Sequence, residues 1–173
     1  DYNERTDGQL ANFNDFINHS SDYKSSFMKY AKHTDIFIAG HYYGAGAPYL
    51  FTREDIRSLD FKICVVADVS CDIDGPVATT IRPSKIDSPI YGYNPITESE
   101  DDFLNDDCIA LMAVDNLPCE LPKDSSEDFG DNLINSIIPI ISSNSNDIIK
   151  GATICKDGDL TEDFEYLRAY VSS

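Results

Sequence analysis

Three short apolar runs, each closed by a glycine or an acid, set the pattern of this chain. The runs and their closing residues are Ile36–Ala39 with Gly40, Ile63–Ala67 with Asp68, and Cys108–Val114 with Asp115. Continuous apolar runs of this length are typical of strands that are buried on both faces of a parallel sheet. The pattern therefore predicts three such strands.

Helical spacing precedes the first two runs. Residues Asp22–His33 place Tyr23, Phe27 and Tyr30 at helical intervals, and Thr52 caps an acidic first turn that leads to Ile56. Each helix is followed by a predicted strand. Strands that alternate with helices predict an α/β fold, and crossovers through helices favour parallel order.

The rest of the chain divides into a long excursion and a helical tail. Four prolines and an acidic run interrupt residues 69–107, which predicts a loop with at most short extended pieces. A helix is expected to open at Ser125 and to run toward Ile141, kinked or ended by Pro139. A small hairpin around Asp157-Gly158 and a helix from Thr161 to about residue 170 complete the prediction.

Composition narrows the classes of partner. The 173 residues are 42% hydrophobic, which suffices for a core, and their formal net charge is −18. Such a field repels phosphate backbones and anionic lipid, so neither nucleic acid nor a membrane surface is the expected partner. No apolar run approaches the roughly 18 residues of a membrane-spanning helix.

The cysteines indicate the cellular compartment of the protein, and the first residues indicate whether it is part of a longer one. The five cysteines are odd in number and include no CxxC pair, which favours a reducing, cytoplasmic location. The chain starts at Asp1 without a methionine and without the pattern of a signal peptide. We expect it to be part of a longer protein.

The candidate site follows from the strand pattern. In open α/β sheets, ligands bind beyond the carboxyl ends of the strands. That rule selects three short segments, namely Ala39, Gly40 and His41; Asp68, Val69 and Ser70; and Asp115, Asn116 and Leu117.

The residues in and near these segments also allow other kinds of binding site. The loop from Gly40 to Tyr49 lacks the third glycine of a phosphate-binding fingerprint, so a substrate-side or cofactor-side loop is favoured. The acids before Gly75 resemble a calcium loop, although Ile81 stands where the closing glutamate belongs. Asp68 fits either a turn-capping carboxylate or a contact to a ribose or a substrate ammonium. His41 fits a structural hydrogen bond or a ligand contact.

Several segments, taken in order, resemble one family. They are Ala39-Gly40, the run from Ala47 to Ile56 (APYLFTREDI), the run from Val65 to Asp72 (VVADVSCD), and above all the stretch DNLPCELPKDSSEDFG that begins at Asp115. Together they resemble the alanine dehydrogenase and transhydrogenase-like superfamily over about residues 30 to 142. The nearest resemblance is to lysine-forming saccharopine dehydrogenases and the lysine-ketoglutarate reductase group.

The resemblance implies a fold and a cofactor. It implies an α/β fold with a partial Rossmann-like parallel sheet, flanking helices, C-terminal helices and a small hairpin. Residues 1–117 would be the later half of an NAD(P)-binding domain, and residues 118–173 a helical segment that packs back toward a missing N-terminal catalytic domain. The three strand-end segments would then line the nicotinamide side of a cleft for NAD or NADP.

The resemblance also implies an activity. It is hydride transfer between nicotinamide and an amino acid or imine substrate, in an enzyme of saccharopine or alanine dehydrogenase type. The glycine-rich fingerprint and the acid–base residues of that family have no counterpart in this chain, so no catalytic residue is assigned. The chain alone is expected to be inactive and to self-associate. The alternative is a non-catalytic α/β interaction module derived from the same family.

Overall fold

The computed structural model describes residues 2–41, 46–141 and 146–171, which form two compact units. One unit extends up to Glu120 and the other begins at Leu121. The first unit contains all three predicted strands and is described first. Its role as the later half of a nucleotide-binding domain stays a prediction.

The elements of both units are short. The strands are β1 (Asn3–Arg5), β2 (Tyr23–Ser25), β3 (Ile36–Ala39), β4 (Val65–Asp68), β5 (Ile90–Asn94), β6 (Ser99–Asp101), β7 (Ile109–Met112), β8 (Cys155–Lys156) and β9 (Asp159–Leu160). The α-helices are α1 (Phe13–Asn18), α2 (Met28–Ala31), α3 (Arg53–Ile56), α4 (Pro122–Asn132), α5 (Asp147–Ala152) and α6 (Arg168–Val171).

A five-stranded sheet organises the first unit. Its order is β3-β4-β7-β5-β6, in which β3, β4 and β7 are parallel neighbours. The predicted α/β class and the parallel order of the three predicted strands are confirmed. The sheet is mixed, however, because β5 pairs antiparallel with β7 and β6 pairs antiparallel with β5.

The excursion over residues 69–107 contributes more than short extended pieces. Strand β5 within it is an inner strand of the sheet, between β7 and β6, and its Tyr91 and Tyr93 side chains are almost completely buried. Between them, Gly92 lies so close to the next strand that a Cβ would meet the carbonyl oxygen of Asp102 at 2.6 Å. The strand was not predicted from the sequence, because Pro89 and Pro95 flank it.

One face of the sheet carries the core. Alternate residues of β4 and β7, such as Val66 and Leu111, are fully buried there. They pack with Phe51 and with Ile56 of α3, which is held in place by a capping box between Thr52 and Asp55. The capped helix predicted at Thr52 is thereby confirmed.

The opposite face of the sheet is exposed, which corrects the prediction that the strands are buried on both sides. Ile36 and Ile38 of β3 are 63% and 68% exposed. In register beside them lie Val65 of β4, which is exposed, and Ala67, which is partly buried. The apolar runs therefore identified these strands correctly, but β3 is covered on one face only, and the second face of β4 and β7 is at most partly buried.

The helix predicted over Asp22–His33 is wrong in its first half. Residues Tyr23–Ser25 form β2, which pairs antiparallel with β1. The Ser25 hydroxyl accepts a hydrogen bond from the Phe27 amide at 3.2 Å and donates one to the Leu50 carbonyl at 2.6 Å. This local serine bond competes with helix continuation, so the helix starts only at Met28.

The second unit is helical with a small hairpin, as expected. Helix α4 starts at Pro122, three residues before the predicted serine, and continues as a π-helix over Leu133–Ile137. Strands β8 and β9 form the hairpin around Asp157-Gly158. The predicted C-terminal helix is a 3₁₀ segment, Glu162–Leu167, followed by α6. Within the described part of this unit, every side chain is at least partly exposed.

Candidate functional site

The ends of the first two parallel strands meet. Ala39 of β3 and Asp68 of β4 are register partners, and the Val69 amide donates to the Ala39 carbonyl at 2.7 Å. The Ser70 amide reaches the same carbonyl at 3.3 Å. Two of the three predicted segments therefore lie side by side at one rim of the sheet.

The carboxylate of Asp68 is buried and held by its own chain. One oxygen accepts from the Ser70 hydroxyl at 2.5 Å and from the amides of Ser70 and Cys71 at 3.1 and 3.2 Å. The other accepts from the Thr80 hydroxyl at 2.6 Å. These bonds tie residues 70–80 to the strand end, and the side chain is completely buried, so the carboxylate has no exposed surface for a ligand.

Cys71 connects this rim to the third strand. Its thiol donates to the Ala113 carbonyl at 3.1 Å, just beyond the end of β7. Burial, followed by the nearby carboxylates of Asp68, Asp115 and Asp72, raises the pKa of the thiol. The thiol therefore stays protonated and acts as a link between strand ends rather than as a nucleophile.

The third predicted segment begins two residues after Ala113. Asp115 and Asn116 are exposed, and Leu117, which is half-buried, opens the 3₁₀ turn Leu117–Glu120. The Cys119 amide donates to the Asn116 carbonyl at 3.1 Å within that turn. Asp115 lies three residues after the end of β7, which runs parallel to β3 and β4.

A cavity of about 350 Å³ opens beside the end of β3. Three predicted site residues line it, namely Ala39, Gly40 and His41. Sequence reasoning missed the aromatic wall, because an aromatic residue in a sequence does not distinguish a cavity wall from a core position. The remaining lining residues are Tyr2, Phe27, Phe37, Ile38 and Leu50.

His41 contributes a polar side chain to this cavity. Both ring nitrogens are buried, and neither has a hydrogen-bond partner among the described residues. Burial lowers the pKa of His41, while the carboxylates of Asp68 and Asp72 act in the opposite direction. A neutral imidazole offers one donor and one acceptor to a bound group. Of the glycine-rich loop that follows, residues 42–45 lie outside the described residues.

The calcium alternative gains no support from the described residues. Among residues 2–41, 46–141 and 146–171, no three His, Cys, Asp or Glu side chains converge in a way that could hold a metal ion. Asp74, one of the acids of the apparent calcium loop, is instead paired with Arg53.

The helices in the described part of the chain are also too short or too polar for any to span a bilayer.

Comparison with known families decides the relationship. The family described as "Alanine dehydrogenase/PNT, C-terminal domain" matches residues 1–163. The chain belongs to this family. The alanine dehydrogenase/PNT C-terminal family is a family of NAD(P)-binding dehydrogenase domains. The resemblance found in the sequence is thereby confirmed.

Individual relatives of the chain point in the same direction. The chain is 30% identical over 161 residues to the alpha-aminoadipic semialdehyde synthase of Arabidopsis thaliana, a match that covers 88% of this chain and 15% of that protein. The mouse mitochondrial enzyme of the same name is 26% identical, with 80% and 18% covered. A saccharopine dehydrogenase (NAD(+), L-lysine-forming) of Schizosaccharomyces pombe is 30% identical over 110 residues, with 62% and 28% covered. The chain thus spans less than a third of the length of each of these relatives.

Proposed function

We propose that this chain forms part of the NAD(P)-binding domain of an amino acid dehydrogenase that acts on a carbon–nitrogen bond. The observation that carries the proposal is the meeting of parallel strand ends at Ala39 and Asp68, in a chain of a dehydrogenase-domain family. The names of the relatives favour a substrate of the saccharopine type.

The residues at the rim fit the nicotinamide end of such a cofactor. The cavity beside β3 has aromatic and aliphatic walls together with one unpartnered polar side chain, His41. A planar ring that carries a carboxamide would match a neutral imidazole as donor and acceptor. When bound, NAD(P) supplies or accepts the hydride.

The chain's own residues would bind and orient rather than transfer protons. Ala39, Gly40 and His41 would flank the ring, with the backbone of Val69 and Ser70 beside them. Asp115, Asn116 and Leu117 would close the far side of the site. The buried Asp68 would keep the rim rigid through its four hydrogen bonds, and such rigidity favours positioning of the reacting groups.

The second unit fits a role at the boundary with another part of the enzyme. Its helix α4 and the π-helical turn after it expose large apolar side chains, including Phe129, Leu133 and Ile134. Apolar surfaces of this kind mark contacts with other protein regions. We propose that residues 118–173 pack against the catalytic region that lies elsewhere in the longer enzyme.

Several finer expectations belong to this proposal. The amino acid substrate, the choice between NAD and NADP, and self-association of the isolated chain stay predictions. A cytoplasmic location also stays a prediction, and the names of the mammalian relatives include the word mitochondrial. The net charge of −18 continues to argue against nucleic acid and anionic lipid as partners.

The proposal is tested on the longer enzyme that contains this chain. Titration with NADH and with NADPH, followed by nucleotide fluorescence, should give saturable binding to one of them. Oxidation of saccharopine with the matching oxidised nucleotide should be measurable. If the longer enzyme bound neither nucleotide, the dehydrogenase proposal would be wrong and the non-catalytic alternative would stand.

Nucleotide binding without saccharopine oxidation would support the nucleotide-binding role but reject this substrate class.

A His41→Phe variant distinguishes a role of His41 in binding from a role in folding, because it keeps an aromatic ring and removes both nitrogens. It should weaken nucleotide binding and leave the unfolding temperature unchanged. Unaltered affinity would remove His41 from the site.

A further inference from the structure

A second cavity, of about 150 Å³, lies between β1, α1 and β2. Four aromatic rings form most of its wall, namely Tyr2, Phe13, Phe16 and Tyr23. A cavity of this size accepts a group about as large as benzene, so it is too small for a nucleotide. Of its lining residues, Tyr2 also lines the cavity beside β3.

The floor of this aromatic pocket is fixed, and its mouth is open. Tyr23 is almost completely buried and packs edge-to-face on Phe16, with ring centroids 5.1 Å apart. The Tyr23 hydroxyl donates to the Asp15 carboxylate at 2.8 Å. Phe13 is 76% exposed, although it stands at the start of α1 beside this floor. Its ring is therefore accessible to a ligand in the pocket.

One polar atom in the pocket lacks a partner. The side-chain oxygen Oδ1 of Asn3 is buried and has no hydrogen-bond partner among the described residues. The other asparagine of the pocket, Asn12, differs, because its Oδ1 accepts from the Asn14 and Asp15 amides at 2.9 and 3.3 Å. A buried acceptor without a donor costs free energy. A ligand that fills the pocket is therefore expected to bring a hydrogen-bond donor.

The charges beside the pocket favour a cation. Two carboxylates, those of Asp7 and Asp15, pair with the one guanidinium of Arg5. That guanidinium lies 5.6 Å from the centroid of the Tyr23 ring, so this ring already has a cation near it. The chain as a whole carries a formal net charge of −18. An anionic ligand would meet repulsion here and would also offer no donor to Asn3.

We propose that the aromatic pocket binds the alkylammonium group of a small free amine. The ammonium would donate one of its three N–H groups to Asn3 Oδ1. The rings of Phe13 and Tyr2 would attract its charge, and the alkyl chain would lie against Phe16. This site is separate from the proposed nucleotide site and adds a second class of ligand to it.

Titration of the longer enzyme with n-butylammonium, without nucleotide and followed by ligand-observed NMR, tests the chemistry. The matched probe is 1-butanol, which has the same carbon chain and a donor but no charge. We expect saturable binding of n-butylammonium and at least about threefold weaker binding of 1-butanol. Absence of saturable binding, or equal binding of the two probes, would overturn the proposal. Because no nucleotide is added, the result does not depend on whether the enzyme binds NAD(P).

A pair of phenylalanine variants locates the bound amine. Phe13→Leu keeps an apolar side chain and removes the ring, so n-butylammonium should bind about 2- to 5-fold more weakly. Phe103 is the control, because it is an exposed phenylalanine of the same unit and does not line the pocket. Phe103→Leu should leave the affinity unchanged. Equal effects of the two variants would place the amine elsewhere and contradict the proposal.

Variants of Asn3 separate binding from folding. Asn3→Leu removes the unpartnered acceptor, so n-butylammonium should bind at least about tenfold more weakly, while the Tm without ligand should be unchanged or higher. A purely structural asparagine would instead lower the Tm. Asn3→Asp keeps an acceptor at this position and adds a negative charge, so it should tighten the binding of n-butylammonium relative to 1-butanol. Undiminished binding by Asn3→Leu, or weaker binding by Asn3→Asp, would overturn the proposal.

Discussion

The hydroxyl of Thr80 donates a hydrogen bond of 2.6 Å to the carboxylate of Asp68, and both residues are completely buried. This contact joins the end of β4 to a residue twelve positions later in the chain. It holds the first turn of the excursion against the rim where the nicotinamide ring is proposed to bind. The rim is therefore restrained by hydrogen bonds within the chain itself.

Removal of this bond should destabilise the fold. A Thr80→Val variant keeps the shape of the side chain but leaves a buried carboxylate short of one donor, at a cost of about 2 kcal/mol. Thr79 is the matched control, because it is equally buried and its hydroxyl has no hydrogen-bond partner among the described residues. Thr79→Val should be neutral or stabilising, and urea unfolding of both variants measures the difference. Equal losses would show that the carboxylate contact has no special weight.

The close approach at Gly92 gives a second prediction. A Cβ there would lie 2.6 Å from the Asp102 carbonyl oxygen, and the backbone of the neighbouring segment would have to move. Gly92→Ala should therefore destabilise the first unit by about 1–3 kcal/mol. Gly130 in α4 has no atom within 4 Å of the added Cβ, so Gly130→Ala should instead stabilise the helix by about 0.5–1 kcal/mol. Thermal unfolding with circular dichroism distinguishes the two, and a neutral Gly92→Ala would argue against the observed approach of the two strands.

The pair formed by Arg82 and Glu100 should make stability depend on pH. The Arg82 guanidinium donates two hydrogen bonds to Glu100, at 2.6 and 2.7 Å, and lowers the pKa of that carboxyl. A folded-state pKa below the unfolded value adds stability above about pH 4.5, and this stability is lost as the pH falls through the folded-state pKa. Glu100→Gln should therefore be less stable than the parent at pH 7, and this deficit should shrink as the pH falls below about 4.5.

Glu54 provides the control for this titration. It is an exposed glutamate of the same unit, and the described residues include no ion-pair partner for it. Urea unfolding of Glu54→Gln should show no comparable convergence between pH 7 and pH 3. A Glu100→Gln variant whose deficit did not shrink at all between pH 7 and pH 3 would show that the carboxylate charge is not what stabilises the pair.

The strands and their common direction could be predicted because apolar runs followed by Gly40, Asp68 or Asp115 are strong local signals. The exposure of Ile36 and Ile38 could not be predicted, because an apolar side chain gives the same sequence signal whether it is buried within this unit or exposed. Strand β5 escaped prediction because Pro89 and Pro95 bracket it and because its pairing with β7 is set by tertiary contacts.

The candidate site, like the fold, could be predicted from the sequence only in part. Rim residues such as Ala39 and Asp68 follow from a general rule on strand ends, and the resemblance selected the same positions. Thr80 and the aromatic wall of the cavity did not follow, because their positions depend on how residues 70–80 fold back and on contacts distant in sequence. Phe27 carries no local signal that separates a cavity wall from a core residue.

The most direct test of the proposed cofactor site is amide hydrogen exchange of the longer enzyme with and without saturating reduced nucleotide, NADH or NADPH. The account predicts slower exchange on binding at the three strand ends, namely Ala39–His41, Asp68–Ser70 and Asp115–Leu117. Nucleotide binding that protected other segments and left these three unchanged would contradict it.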